Sequence, residues 1–492
     1  MAYKGQFLRS PLLVFGFSGR IGSGVSLIRD KLAQTLMTFG YEPMVIDVSR
    51  VILDQVFNQV FHNEAGSSGP APNIVKRISD LQLRGNRLRE EFGNEAIASL
   101  AVSHVIWPWL ENERRREPEP FGRRVAFMID SLKHPHEAAF LREIFGAAYY
   151  GIGIVTSDSV RLDRLKNRKG FTVEDFHNLS EIDGDGDDDH GQKAIKTIIK
   201  SDYFVANDHS TKTALPAEID RILRLIFSVE VETPRLDEYG MYTAASAALR
   251  SGCLSRQVGA SIIAQSGELL STGRNDVPQV GGGLYTSEST PDHRCWSRSA
   301  RCYNDFHKQE MVHNLAVKLI SELELNVDET VHIKEILNSQ IRNLIEFSRA
   351  VHAEMDAIVA VAREAKWGLV GATLFCTTFP CHSCARHIID AGIARVVYLE
   401  PYEKSKARDL HADAICDPLL PDEPGKVPFE LYGGVAPRRF AELFASHDRK
   451  DSYGALVESD SSRIERMPNG AEDVIALESR IRKVVEKQLG NS

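Results

Sequence analysis

Apolar runs of strand length recur through the first 230 residues, at Leu12–Phe17, Met44–Val48, Val125–Ile129 and Tyr149–Val155. Between them apolar positions return at helical spacing, as in Val25–Met37 and Asn86–Val105. Such alternation predicts an α/β unit, a parallel sheet with flanking helices on both faces. The Thr233-Pro234 break ends this pattern. Beyond it the spacing predicts a helix over Asp237–Arg250, a strand over Val258–Ile263, a glycine-rich loop at Gly281–Gly283 and an insertion with two helical stretches. A compact run follows: helix Ala353–Ala365, strand Ala372–Thr378, helix Cys381–Ala391 stopped by Gly392, and strand Ala394–Leu399. From about Ser446 the chain is polar, apart from an apolar stripe of Val474, Leu477, Ile481, Val484 and Leu489. Its polar face mixes both charge signs, which suits a docking or oligomer helix better than a membrane binder. The expected domains are 1–230, 231–445 and a tail, 446–492.

Composition narrows the function classes. A chain of 492 residues exceeds what one core supports, and 43% hydrophobic with 26% charged residues is an ordinary globular balance. A formal charge of −9 argues against a broad basic surface for duplex nucleic acid and leaves room for a local pocket that takes a small phosphorylated ligand. All seven cysteines lie at or beyond Cys253, an odd and one-sided set that fits a reducing compartment and metal ligation better than a disulfide framework. The first apolar run breaks into glycines, so it reads as neither a signal peptide nor a membrane span, and a cytoplasmic location is the expectation.

The decisive chemistry lies in His352-Ala353-Glu354, followed 26 residues after that Glu by Pro380-Cys381-His382-Ser383-Cys384. Two cysteines three apart at a helix start can face one metal, and a histidine from a neighbouring helix end supplies a third ligand. Three protein ligands leave a tetrahedral position open, which marks a catalytic Zn2+ site. A helix N-terminus also favours the thiolates of Cys381 and Cys384. Zinc lowers the pKa of its water, and Glu354, two residues from His352, is set to carry the proton. The combination is the H-x-E with P-C-x-x-C signature of zinc nucleobase deaminases. A structural zinc or a redox Cys-x-x-Cys pair would not require the order of elements seen here.

Tyr239 to Tyr402 resembles a deoxycytidylate deaminase. The likeness rests on Arg256-Gln257-Val258-Gly259-Ala260, Gly273-Arg274-Asn275-Asp276-Val277-Pro278, His352-Ala353-Glu354, Thr377-Thr378-Phe379-Pro380-Cys381-His382-Ser383-Cys384 and Ala391-Gly392-Ile393. It implies a three-layer α/β/α cytidine deaminase-like fold, with His352, Cys381 and Cys384 on zinc, Glu354 as proton shuttle, and Asn275 on the substrate. Arg256, Thr378 and Tyr402 join Asn275 as expected substrate contacts. The reaction implied is attack at C4 of cytosine with loss of ammonia. Arg274 and Asp276 stand where the family loop carries Tyr and Gly. Lys404 and Lys406 read either as phosphate contacts or as solvated surface lysines. His293, Cys295 and Cys302 form a second cluster, which reads either as a structural zinc site, completed by His307 or Cys253, or as a loop with ordinary thiols.

In the first domain Gly16-Phe17-Ser18-Gly19-Arg20-Ile21-Gly22-Ser23-Gly24-Val25-Ser26 follows a strand and opens a helix, the context of a phosphate-cradling loop. Gly19 to Ser26 has Walker A spacing with Val25 at the lysine position. The domain resembles a P-loop nucleoside or nucleotide kinase that has lost that lysine. Gly19, Gly22, Ser23, Gly24 and Ser26 are the expected nucleotide contacts, with Ser26 in reach of a Mg2+ ion; Asp130 resembles the acidic residue of a nucleotide kinase, and Arg161, Arg164 and Arg168 its basic lid. Nucleotide binding for regulation is the expectation, with phosphoryl transfer and a ligand-free kinase fold as the other readings. The acidic run from Glu181 to Asp189 fails the EF-hand pattern at Asp188 and Ala194 and reads as a solvated loop.

The fusion as a whole, with Pro401-Tyr402-Glu403-Lys404 and Gly433-Gly434-Val435-Ala436-Pro437-Arg438-Arg439, resembles the bacterial anti-phage dCTP deaminases. That family implies conversion of dCTP or dCMP to the deoxyuridine nucleotide, which drains the dCTP pool a phage needs. It also implies a homo-oligomer, with a hexamer as the form deoxycytidylate deaminases adopt, and control by an allosteric deoxynucleotide or an RNA inhibitor. A housekeeping dCMP deaminase for dTTP supply and a single-stranded DNA or tRNA deaminase are the alternatives.

Overall fold

The computed structural model describes residues 12–61, 73–116, 124–184, 189–208, 214–228, 231–323, 327–341, 344, 347–364, 368–402, 405–417, 425–445 and 449–456. The apolar stripe expected at 474–489 lies outside the described residues. The chain forms two compact units, 1–234 together with 431–492, and 235–430. Residues 431–445, which the sequence places with the second domain, are thus part of the first unit.

The first unit is built on a six-stranded sheet. In chain order its strands are β1 (Leu12–Gly19), β2 (Glu42–Ile46), β3 (Val125–Leu132), β4 (Tyr149–Val155) and β5 (Tyr203–Ala206), joined by Gly434–Val435. The spatial order is Gly434–Val435, β5, β4, β1, β3, β2, with every pair parallel except the first. A central parallel strand is covered on both faces, and β1 is buried along its whole length. Its alternation feeds two cores. Leu12 and Val14 join Phe127, Ile129, Ile106 and Leu141 on one face. Leu13, Phe15 and Phe17 join Met128, Ile28, Leu32 and Ile222 on the other.

The expected helix at Asn86–Val105 is two helices. Ile74–Phe92 starts where the Asn73 side chain accepts from the Val75 N–H at 2.8 Å, and it stops at Gly93, whose φ of 93° is left-handed. A second helical stretch begins at Ala96.

The second unit holds a mixed sheet: β6 (Gly259–Ile263), β7 (Leu269–Arg274), β8 (Thr373–Thr378), β9 (Arg395–Glu400), β10 (Ile415–Cys416) and β11 (Val427–Leu431). The order is β10, β11, β9, β8, β6, β7, with β6 antiparallel to both β7 and β8, and β8 parallel to β9. Register shows that helices lie on opposite faces. Gly259 pairs with Arg274 and Ala260 with Gly273, so the two glycines point to opposite sides. A Cβ on Gly259 would meet the carbonyl of Ala244, in helix Leu236–Ala248, at 1.9 Å. One on Gly273 would meet the carbonyl of Ala353, in helix Ala353–Glu364, at 2.1 Å. Glycine at each position lets a helix lie directly on the sheet, giving helix, sheet and helix layers. The 279–350 insertion contributes helices Tyr303–Leu323 and Val327–Ile341. No helix among the described residues is long and apolar enough to cross a membrane.

Candidate active site

The helix Ala353–Glu364 begins beside β7, and Cys381 caps the helix His382–Asp390 that follows β8. These two helix starts bring three donors together. The Nδ1 of His352 lies 3.3 Å from the sulfurs of both Cys381 and Cys384. All three donor atoms lie within 4.8 Å of one another, and this is the one such convergent set among the described residues. Cys381 and Cys384 are buried. The thiol of Cys384 supports a thiolate on Cys381, so Cys381 is held down to about 4 while Cys384 is pushed up. Two sulfurs and an imidazole sharing so little space form the donor set of a zinc site with one open position. A Zn2+ ion fits His352, Cys381 and Cys384.

Glu354 is 4% exposed, in the first turn of the same helix as the His352 cap, and burial pushes its carboxyl above the ordinary range. A buried carboxyl at this position takes up a proton more readily than a solvated one, which suits a group that receives and returns protons.

The cavity beside this cluster is lined by Arg256, Asn275, Thr378 and Tyr402, together with His352, Glu354 and Cys381. Thus four of the five residues expected on the substrate share one cavity. Lys404 lies outside the described residues. Asn275 does more than line the wall. Its Oδ1 accepts from the Val258 N–H at 2.7 Å and its Nδ2 donates to the Arg256 carbonyl at 2.7 Å, while its own carbonyl accepts from Ser251. Its amide therefore shapes the 251–258 loop. Arg256 pairs with Glu400 at 2.6 Å. Arg274 and Asp276, which depart from the family loop, lie behind it. Asp276 is 1% exposed, accepts from the Gly252 and Val277 N–H groups, and its carbonyl accepts from Val351, the residue before His352.

Phe379, Tyr303, Arg349 and Cys253 also line the cavity and were not among the expected substrate residues. Phe379 follows Thr378 directly, but Arg349 and Tyr303 come from the insertion, where helical spacing says nothing of which cavity a side chain lines. Cys295 and Cys302 line the same cavity. His293 does not join them in a convergent donor set. Its ring packs edge-on against Tyr285 and its carbonyl accepts from Arg349.

In the first unit the glycine-rich loop links β1 to the helix Val25–Thr38, with Gly22 and Gly24 in the left-handed region at φ 80° and 85°. Its outward carbonyls are held by cations. Lys133 donates to Gly19 at 2.7 Å, Arg161 to Ile21 at 2.8 Å, and Arg164 to Ser23 at 3.2 Å. Ser23 is buried and its Oγ has no hydrogen-bond partner among the described residues, while Ser26 is exposed. Asp130 accepts from Arg29 at 2.5 Å and from the Val48 N–H at 3.0 Å. Asp183, expected in a solvated acidic loop, is instead fully buried; it accepts from the Ile21 N–H at 2.6 Å and from Lys133 at 2.6 Å.

The model of the cytidine and deoxycytidylate deaminase zinc-binding region matches residues 234–400. The deoxycytidylate deaminase of Enterobacteria phage T4 is 30% identical over 158 residues, which is 32% of this chain and 73% of that protein. That of Mycobacterium phage D29 is 30% identical over 165 residues, 34% of this chain and 94% of that protein. Among solved structures, the dCMP deaminase of cyanophage S-TIM5 in complex with dCMP and dUMP is 21% identical, covers 41% of this chain and 99% of its own, and has a TM-score of 0.24. Because nearly the whole of the D29 protein aligns at 30% identity, and the family's zinc-binding region falls on the residues that converge here, the chain belongs to the cytidine and deoxycytidylate deaminase family.

Proposed function

We propose that this chain is a zinc-dependent hydrolytic deaminase of deoxycytidine nucleotides, dCMP or dCTP, yielding the deoxyuridine nucleotide and ammonia. The observation that carries the reading is the buried Glu354, in the first turn of a helix whose cap, His352, faces the thiols of Cys381 and Cys384. A Zn2+ held by these three residues would supply the Lewis acidity that lets water attack a ring carbon at neutral pH. Glu354 accepts a proton from the attacking water and delivers it toward the ring nitrogen and the departing amine, so one carboxyl serves both half-reactions. Net, water adds at C4, the C4–N4 bond breaks, and the amine leaves as ammonia. Thr378, Phe379 and Tyr402 wall the cavity, and Asn275 holds the loop that completes it.

The acidic overall charge favours a free nucleotide over a polymer. Ammonia release from dCTP, dCMP, deoxycytidine and a short single-stranded oligonucleotide, compared between the wild type and Glu354→Ala, tests the reading. Release from a free nucleotide that vanishes in the variant is the expected result. No release from either nucleotide by zinc-replete protein would overturn it.

For the first unit we propose nucleotide binding in a regulatory role within a phage-defence enzyme that drains dCTP. The left-handed Gly22 and Gly24, and the buried Ser23 hydroxyl with no hydrogen-bond partner among the described residues, support it. Val25 at the lysine position and the engagement of Asp130 by Arg29 speak against phosphoryl transfer. Titration calorimetry with ATP and deoxynucleoside triphosphates in Mg2+ tests this on wild type and Gly22→Val. Equal heats in both would sink it.

A further inference from the structure

Two guanidinium groups line the deaminase cavity, and their situations differ. Arg256 faces Glu400 at 2.6 Å, so its charge is matched within the protein. Arg349 has no carboxylate partner among the described residues. One of its terminal nitrogens donates to the His293 carbonyl at 3.2 Å and lies 4.0 Å from the Cys295 sulfur, and its guanidinium sits 5.4 Å from the centre of the Tyr303 ring. These contacts fix the group without neutralising it. Its Nε and second terminal nitrogen make no hydrogen bond among the described residues.

Position adds to this. Arg349 precedes His352 by three residues, and Val351 between them is held extended by its bridge to Asp276. The chain bends at Ala350, and Arg349, His352 and Glu354 all line the one cavity. A second cation stands nearby, since the Arg301 guanidinium lies 5.5 Å from the same Tyr303 ring. The lining of one cavity thus carries both the Arg349 guanidinium and the Glu354 carboxyl.

We infer that Arg349 is the phosphate-binding residue of this site, its planar fork donating to the 5′-phosphate of the nucleotide while the base lies against Glu354. The inference rests on the deaminase reading above and assigns its nucleotide selectivity to the insertion. A guanidinium already anchored on a ring and a carbonyl loses little freedom on binding, and its remaining N–H groups match two phosphate oxygens.

The test measures steady-state deamination of dCMP, dCTP and deoxycytidine, together with calorimetric binding of dCMP, in the wild type, Arg349→Gln and Arg349→Lys, with zinc content and melting temperature recorded for each. Loss of charge-assisted hydrogen bonds should raise KM and Kd for the nucleotides about ten- to a hundredfold, with kcat changed far less. Deoxycytidine turnover should stay at the wild-type level, and Arg349→Lys should recover part of the loss. Unchanged nucleotide KM and Kd in folded, zinc-loaded Arg349→Gln would overturn the inference. So would an equal loss on deoxycytidine and the nucleotides, because that assigns Arg349 to positioning alone. Wild-type protein that binds dCMP through Arg349 without releasing ammonia would refute the deaminase reading and leave the phosphate contact standing; wild-type protein that binds no nucleotide would refute both.

Discussion

The tasks proposed for Glu354 and Cys384 are separable, and substitution distinguishes them. Glu354→Gln keeps the shape of the buried side chain and removes its capacity to carry a proton, so deamination should fall by about 10²–10⁴-fold with the metal still bound. Parallel kinetics and metal analysis by atomic emission check both halves. Cys384→Ser, by contrast, takes a thiolate from a three-ligand set, and both zinc content and activity should be lost together. The places of Glu354 and Cys384 at two helix starts were legible in the sequence because both motifs rest on short spacings. Asn275 was legible as a cavity residue, but not as one whose amide is spent on Val258 and Arg256, because those bonds depend on how a loop folds back. Arg349 was invisible for a related reason: a lone arginine in a polar insertion is distinguished only by the partners it lacks.

At the scale of elements, the helix Pro135–Phe145 shows how a cap couples a local fold to pH. His134 caps it, with Glu137 reaching back to the His134 N–H at 3.1 Å. Burial first, then the charges of Arg89, His136 and Lys193, hold the imidazole of His134 down to about 4. The unfolded chain takes up this proton near 6.5, so between pH 6.5 and 4 it binds more protons here than the native state does. Stability should therefore be full above pH 6.5 and fall as pH drops through this window. His134→Asn, which retains a capping oxygen, should flatten that part of the curve in urea titrations across pH. An unchanged slope would exclude His134 as its source. The strands and helices around the zinc ligands followed their sequence pattern closely, whereas the Asn86–Val105 periodicity ran across a real break at Gly93. An apolar repeat reports the buried face and is blind to a left-handed residue that restarts the helix on the same face.

Across the whole molecule, chain order and unit membership part company. Gly434–Val435 pairs with β5, and Arg438, just beyond, donates to the buried Asp202, which also accepts from Arg142 at 2.6 Å and from the Gly151 N–H at 2.7 Å. Removing one member of such a buried group leaves the others uncompensated. Asp202→Ala should destabilise the first unit by about 3–5 kcal/mol, read by guanidinium unfolding of the full chain with a probe in that unit. Arg438→Ala, whose partner keeps Arg142, should cost about 1 kcal/mol. The sequence by itself determined the strand and helix alternation, the order of the metal motif's elements and which three donors converge. Each of these depends on neighbours a few residues apart and is written in periodicity and spacing. Only the tertiary structure decided that residues 431–445 complete the first sheet, that Asp183 is buried against the glycine-rich loop, and that Arg349 shares a cavity with Glu354. These are contacts between residues distant in sequence, and a two-residue strand, a lone carboxylate or a lone arginine has no local pattern from which such a partner can be read.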